Sequence, residues 1–254
     1  MKVHFLGVGE ACDPERFNTS LLVISRSKNH YILLDCGFTT PHRYFADCFE
    51  PNQLDALWIS HFHGDHFFGV PLLLLRFWEM GRTKPLLLVG PPGLEEKVAQ
   101  AVDLAYPCFL GKLQYPLRFF QMEDGGSLQA AGFLWQVAAT EHSQPCLALK
   151  LSGDGKTLFY SGDGRPTPAS ASLAKGCTLV VHEAYRVVGQ IANHVSLAGC
   201  LDLARQAGCE KLALVHVAYS EREREREKEE IQRLLAESGL PGVFLPKPGE
   251  RLRL

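Results

Sequence analysis

Three histidines and an aspartate lie within six residues, His61, His63, Asp65 and His66, in the stretch "SHFHGDH" that follows the apolar run "ALWI". Four adjacent polar groups of this kind would each need a partner if buried, or would forfeit their hydration. A cation satisfies all of them together. Imidazole with carboxylate suits borderline ions such as Zn²⁺, with manganese or iron as alternatives, whereas Ca²⁺ or Mg²⁺ favours an all-oxygen shell. Closed structural zinc sites usually draw on several cysteines and this loop has none, so the pattern predicts an open, catalytic centre. Isolated histidines carry no such signal, and His4, His30 and His42 read as ordinary core or surface residues.

Further candidates recur at a regular place. The apolar runs "ALWI", "FLWQVAA", "TLFY", "TLVV" and "KLALV" are each followed within about four residues by His61, His142, Asp163, His182 and His216 respectively. Strands ending this way would deliver their polar residues to one rim of packed sheets. Eleven short β-type runs are legible: "KVHFLGVG", "SLLVIS", "YILLDCG", "ALWIS", "PLLLVG", "FLWQVAA", "CLALKL", "TLFYSGD", "TLVVHEA", "KLALVHVA" and "GVFLP". Helical patterns interrupt them. One places Leu94, Val98, Ala101 and Val102 on a shared face, and another runs from about Leu197 to Ala207 and stops at Gly208. A third is expected to open on a capping box of Ser220 and Glu223 and to turn Ile231, Leu234 and Leu235 inward. The mixed-charge tract "EREREREKEE" reads as the solvated face of that helix. The aromatic-rich "AYPCFLGKLQYPLRFF" reads as core packing, and "FFG" at Phe67–Gly69 as a support under the histidine loop.

The totals set bounds. With 254 residues, 46% hydrophobic and 21% charged, the chain can bury a sizeable core, and no linker or repeat divides it, so one α/β domain over 1–254 is expected. A net charge of −2 offers no general basic field for nucleic acid. The eight cysteines never form C-x-x-C and read as free thiols of a reducing, cytoplasmic compartment. The apolar run near the start is too brief for a signal sequence, and "VPLLLL" is far short of a membrane span.

The array H-x-H-x-D-H resembles the signature of the metallo-β-lactamase-fold hydrolases, and His142, Asp163 and His216 stand where that superfamily supplies its remaining ligands. The resemblance implies a four-layer αββα sandwich of two mixed β-sheets flanked by helices. It implies two divalent ions, one held by His61, His63 and His142, the other by Asp65, His66 and His216, with Asp163 bridging. His63 stands where oxygen-reducing di-iron relatives carry glutamate, which favours hydrolysis. Within the superfamily, "HEAY" at His182–Tyr185 resembles the H-E-A-T motif of the ribonuclease Z group and its phosphodiesterase relatives, and "HVSLAG" at His194 their H-S-T-A motif. By that resemblance Glu183 orients His194, whose imidazole steadies developing charge or protonates the leaving oxygen, and Asp65 shares the handling of protons. Asn18 and Ser20 in "RFNTS" and Asp35 in "LDCG" echo the same group, and a homodimer is implied.

The chain departs from that pattern at Val195, which replaces a serine, and at Phe38, where glutamate is common. It also lacks room for the long arm that grips tRNA in ribonuclease Z. Only twenty residues separate His142 from Asp163, and "CLALKLSGDGKTLFY" reads as a simple hairpin turning at Asp154-Gly155. A dinuclear zinc phosphodiesterase acting on a small phosphodiester, a cyclic phosphate or a short nucleic acid is therefore expected ahead of a tRNA 3′-processing endonuclease. An ester, thioester or lactone hydrolase and a non-catalytic metal-binding module are the remaining readings. His182 and Glu183 have a structural alternative as a satisfied strand-end pair, and His194 as a capping-region residue.

Overall fold

The computed structural model describes residues 1–25, 29–189, 191–240 and 242–254. The first half runs β1 (Lys2–Gly7), β2 (Ser20–Ile24), β3 (Tyr31–Leu34), α1 (Thr40–Asp47), β4 (Leu54–Trp58), α2 (Gly64–Phe67), α3 (Val70–Glu79), β5 (Leu86–Gly90), α4 (Leu94–Ala105) and β6 (Leu117–Gln121). The second runs β7 (Ser127–Ala130), β8 (Phe133–Thr140), β9 (Cys146–Gly153), β10 (Lys156–Tyr160), α5 (Pro168–Ala174), β11 (Leu179–Glu183), α6 (Leu197–Ala207), β12 (Leu212–Val215), α7 (Tyr219–Glu223), α8 (Glu225–Glu237), β13 (Val243–Phe244) and β14 (Arg251–Arg253). The strands form two seven-stranded mixed sheets, ordered β14-β1-β2-β3-β4-β5-β6 and β13-β12-β11-β10-β9-β8-β7, with β14 returning from the second half to pair with β1. In both, antiparallel strands give way to parallel ones, at β3–β4 in the first sheet and at β10–β11 in the second.

Three apolar layers hold four layers of structure. Val3, Phe5, Trp58, Trp135, Val137, Leu149 and Val181 pack between the sheets, with the rings of Trp58 and Trp135 6.3 Å apart. Leu33, Leu57, Leu73, Phe77 and Val98 join the first sheet to its helices, and Val180, Leu197, Leu201 and Leu214 join the second sheet to its own. The parallel strands β11 and β12 are buried along their whole length, which is why they read as unbroken apolar runs and not as alternating ones. This is the αββα sandwich of mixed sheets anticipated from the motifs.

All eleven legible strands are present, and three more join them. The additions, β6, β7 and β14, are mostly exposed sheet-edge segments whose half-polar faces carry little apolar signal. The segment expected to be core packing therefore divides: Phe109 and Tyr115 are buried, while Leu117–Gln121 is the edge strand β6 with Phe120 exposed. The helix expected to start at a Ser220–Glu223 box is instead broken at Arg224, and neither α7 nor α8 has a side-chain cap. Glu221 and Arg222 are not solvated. Arg222 pairs with Asp13 at 2.6 Å, and Glu221 accepts the Val187 amide at 3.0 Å, so the head of the charged tract ties the start of the chain and the segment after β11 together. The hairpin at Asp154-Gly155 is as read, with φ of 54° and 69° at its two turn residues, the left-handed pair that a two-residue turn requires.

Gly37 shows how tightly the histidine loop is seated. A Cβ there would lie 1.9 Å from the Asp65 carbonyl oxygen. Substitution Gly37→Ala is expected to cost about 3 kcal/mol, at the upper end of overpacking penalties, and to lower the bound-metal content of the purified protein; thermal unfolding with elemental analysis checks both, and a parent-like variant would contradict this seating.

Candidate metal centre

Loops at the ends of β3, β4, β8, β10, β11 and β12 converge at one end of the sandwich. His61 and His63 follow β4, Asp65 and His66 lie in α2, His142 follows β8, Asp163 follows β10, and His216 follows β12 in a left-handed conformation with φ of 59°. The donor atoms form two groups joined by one residue: His61, His63, His142 and Asp163, and Asp65, His66, Asp163 and His216, each within 4.8 Å. All seven sequence candidates for metal binding are thus brought together, with Asp163 shared.

In the first group, His61 Nε2 and His142 Nε2 each lie 3.1 Å from His63 Nδ1. Ser60 Oγ donates to Asp35, so His61 Nδ1–H donates to Ser60 Oγ at 3.0 Å, and His142 Nδ1–H donates to the Asn193 carbonyl at 2.8 Å. These assignments leave both Nε2 atoms as bare lone pairs facing His63, where a single proton could serve only one of them. A cation serves all three. Ligand atoms about 2.0–2.2 Å from a tetrahedral ion sit about 3.3–3.6 Å apart, a little wider than the spacing here. In the second group, His66 Nε2 and Asp163 Oδ1 are buried without a hydrogen bond, 3.4 Å apart, and His216 Nε2 lies 3.2 Å from Asp65 Oδ2. The donor set fits two divalent ions.

Asp35 underpins this arrangement. It is fully buried, in a left-handed conformation at the end of β3, and its Oδ2 accepts from Ser60 Oγ, Tyr160 Oη and His66 Nδ1, each at 2.7 Å, while Oδ1 accepts the Ser60 amide. Three strand ends are thereby locked to one carboxylate. Ser20 Oγ donates to the Asp35 carbonyl, and Asn18 clasps Thr39 across the same segment. Ser60, Tyr160 and Asn193 escape a reading of sequence because a lone Ser, Tyr or Asn carries no spacing signal.

Beside the cluster, Glu183 Oε1 accepts from the amides of Gly164 and Val195 and from His194 Nδ1, all at 3.1 Å, and Oε2 accepts the Tyr185 amide at 3.0 Å. Glu183 thus takes four hydrogen bonds, and Glu183, His194 and His216 lie close together. His194 sits two residues before the true helix cap, Ser196, which accepts from the Gly199 amide. His182 differs from the rim position anticipated for it: it lies within β11 and turns toward Phe159 and Cys200, its Nδ1 3.7 Å from the Cys200 sulfur, because alternate residues of a strand face opposite sides. Phe67 packs under the loop as expected, but Phe68 is 53% exposed and meets the equally open Phe38 edge-on.

Charges follow from burial and neighbours. Burial, followed by the charge of His66, pushes His61 well below its ordinary value, and burial with His142 lowers His63. Burial alone would do the same to His66 and His216, but Asp163 outweighs it, with Asp35 at His66 and Asp65 at His216; His66 is raised and His216 is pushed up to about 9. Asp65 and Asp163 resist the upward push of burial and are held well below the carboxylate range by His216 and His66. Burial pushes the Cys146 thiol up to about 12 and Cys36 and Cys200 well above the ordinary thiol value, so none of them serves as a nucleophile.

A family model described as Anti-Pycsar protein Apyc1 matches residues 1–239. The chain is 28% identical over 306 residues to Ribonuclease BN of Escherichia coli O17:K52:H18, covering 96% of this chain and 98% of that protein. It is 24% identical over 273 residues to Ribonuclease Z of Methanosarcina acetivorans, covering 86% and 88%. Among solved structures it resembles the metallo-beta-lactamase fold protein YhfI from Bacillus subtilis (TM-score 0.80, 20% identity, 99% and 98% of the two chains) and the short form of human tRNase Z, ELAC1 (TM-score 0.79, 20% identity, 100% and 99%). An alignment of 306 positions exceeds this 254-residue chain by at least 52, so the Escherichia coli relative has residues with no counterpart here.

Only neutral imidazoles coordinate, and at pH 7 the metal-free protein holds His66 and His216 protonated while His61 and His63 are neutral and both carboxylates are ionised. Zinc binding is therefore expected to release about two protons per chain from His66 and His216. Titration calorimetry in two buffers of different ionisation enthalpy measures this number; proton-neutral binding would be inconsistent with these charges. Asp35→Asn, which removes the acceptor for His66 Nδ1, is expected to weaken zinc binding about 10–100-fold, read by competition with a chelator, and unchanged affinity would show that the hub does not tune the ligands.

Proposed function

Because this chain belongs to the Anti-Pycsar protein Apyc1 family and is a ribonuclease Z-like, metal-dependent hydrolase of the nuclease and phosphodiesterase type on the metallo-β-lactamase fold, we propose that it hydrolyses a small phosphodiester, a cyclic phosphate or a short nucleic acid at a dinuclear zinc centre. His61, His63 and His142 would hold one ion and Asp65, His66 and His216 the other, with Asp163 shared. Bound there, the ions supply Lewis acidity: a coordinated water of lowered pKa and neutralisation of phosphoryl charge.

The chain's own residues do the rest. His63, His142 and His194 form the half-buried, open side of the centre, while His61 and His66 are sealed beneath it. A diester entering from the open side meets His194, whose Nδ1 is committed to Glu183 at 3.1 Å. Its Nε2 is then the group that protonates or steadies the leaving oxygen, and Asp65 shares the handling of protons. The His194–Glu183 couple beside the seven-donor cluster is the observation that carries the proposal, since it sets a positioned imidazole next to the place where a diester's leaving oxygen would gather charge.

Substrate size is supported by the hairpin. β9 and β10 are joined by two residues, with no arm between His142 and Asp163 to grip a folded RNA. The ribonuclease relatives keep a tRNA 3′-processing endonuclease as the second reading. The proposal further takes residues 1–254 as one domain, the active unit as a homodimer and the compartment as the cytoplasm. The eight unpaired cysteines support the compartment, and no helix among the described residues is long and apolar enough to cross a membrane.

Assayed side by side on an aryl phosphodiester, cyclic nucleotides and a tRNA precursor, the zinc-loaded protein is expected to cleave the small substrates, and Asp163→Ala or His66→Ala to lose about 10²–10³-fold or more in kcat. Cleavage of the precursor alone would transfer the case to the endonuclease, and full activity in both variants would remove the mechanism.

A further inference from the structure

We propose that Tyr185 is a positioning residue that clamps the plane of the His194 imidazole through its ring face and not through its hydroxyl. The idea rests on the reading of His194 as the group serving the leaving oxygen. The one side-chain hydrogen bond of His194 among the described residues, from Nδ1 to Glu183, fixes one ring atom and leaves the plane free to rotate about that bond. The Tyr185 ring stacks on His194 at 4.7 Å and 24°. From another direction the His142 ring meets it at 5.1 Å and 76°. Contact with a ring face and with a near-perpendicular neighbour leaves one orientation.

Tyr185 is itself well anchored. Its amide donates to Glu183 Oε2, so the same carboxylate holds the histidine by one oxygen and the tyrosine backbone by the other. Its carbonyl accepts the Ala218 amide at 2.9 Å, and the neighbouring Val187 amide is held by Glu221. The clamp is therefore built on β11 and α7, while His194 stands on a loop. No hydrogen bond to the Tyr185 hydroxyl occurs among the described residues, which leaves the ring as the working part. The motif that this segment resembles has threonine here, and threonine has no face to stack.

The test uses the zinc-loaded full chain as parent, Y185F, Y185T and Y185A, with two diesters that differ only in leaving group, p-nitrophenolate or a simple alkoxide. A misaligned imidazole should matter most where the leaving oxygen needs help. Y185A and Y185T are expected to lower kcat about tenfold or more for the alkoxide and about threefold or less for p-nitrophenolate, with KM little changed; Y185F should rescue the alkoxide rate. Equal losses on both diesters, or a Y185F as impaired as Y185A, would overturn the proposal. A second readout needs no turnover: the upfield ring-current shift that Tyr185 adds to the ring protons of His194 in the NMR spectrum, on top of contributions from His142 and His216, should persist in Y185F and be lost in Y185A. Should the parent cleave neither diester, the hydrolase reading fails on its own, and the ring-current shift still decides whether Tyr185 orients His194.

Discussion

His61 Nε2 and His142 Nε2 each lie 3.1 Å from His63 Nδ1 while their own Nδ1 atoms are committed to Ser60 and Asn193, an arrangement that a protein without a cation would have little reason to keep. One proton on His63 satisfies only one of the two, so the other lone pair faces a nitrogen that it repels. In the second group His66 Nε2 and Asp163 Oδ1 are buried without a hydrogen bond, although opposite charge draws them together across 3.4 Å. Much of the surrounding architecture serves to hold these atoms in place against that repulsion.

The holding is done largely by carboxylates that face away from the centre. Asp35 joins the ends of β3, β4 and β10 to His66 through four hydrogen bonds, and Glu183 gathers three amides and His194. Each is buried and each accepts four hydrogen bonds, which keeps the negative charge where it orients imidazoles. Contact between the two sheets is mostly apolar, and polar links near the rim such as the Tyr160–Asp35 bond help to set the relative position of donor residues that come from different sheets. A small displacement between the sheets would separate His61 and His66 from His142 and His216.

The centre was far more legible in the sequence than its support. His61, His63, Asp65 and His66 stand out because four ligating residues in six positions have no comfortable burial without a cation, and His142, Asp163 and His216 because each follows a strand-like run. Long central strands were legible for the related reason that burial on both faces leaves an unbroken apolar run. Edge strands β6, β7 and β14 were not, since their exposed faces resemble loops. Ser60, Tyr160 and Asn193 were illegible because their importance lies in what they touch across the fold. His182 was misplaced on the rim because a strand's last turn of alternation, one residue either way, decides which side a histidine faces. The tract from Glu221 to Glu230 looked uniformly solvated, yet its first two residues are buried where Asp13 and the Val187 amide supply partners.

The most direct measurement is an anomalous-difference map collected at the zinc edge from crystals grown with zinc. The account predicts two peaks, one in coordination distance of His61, His63 and His142, the other of Asp65, His66 and His216, with Asp163 reaching both. A map without peaks among these residues, or with zinc bound only elsewhere on the surface, would contradict it.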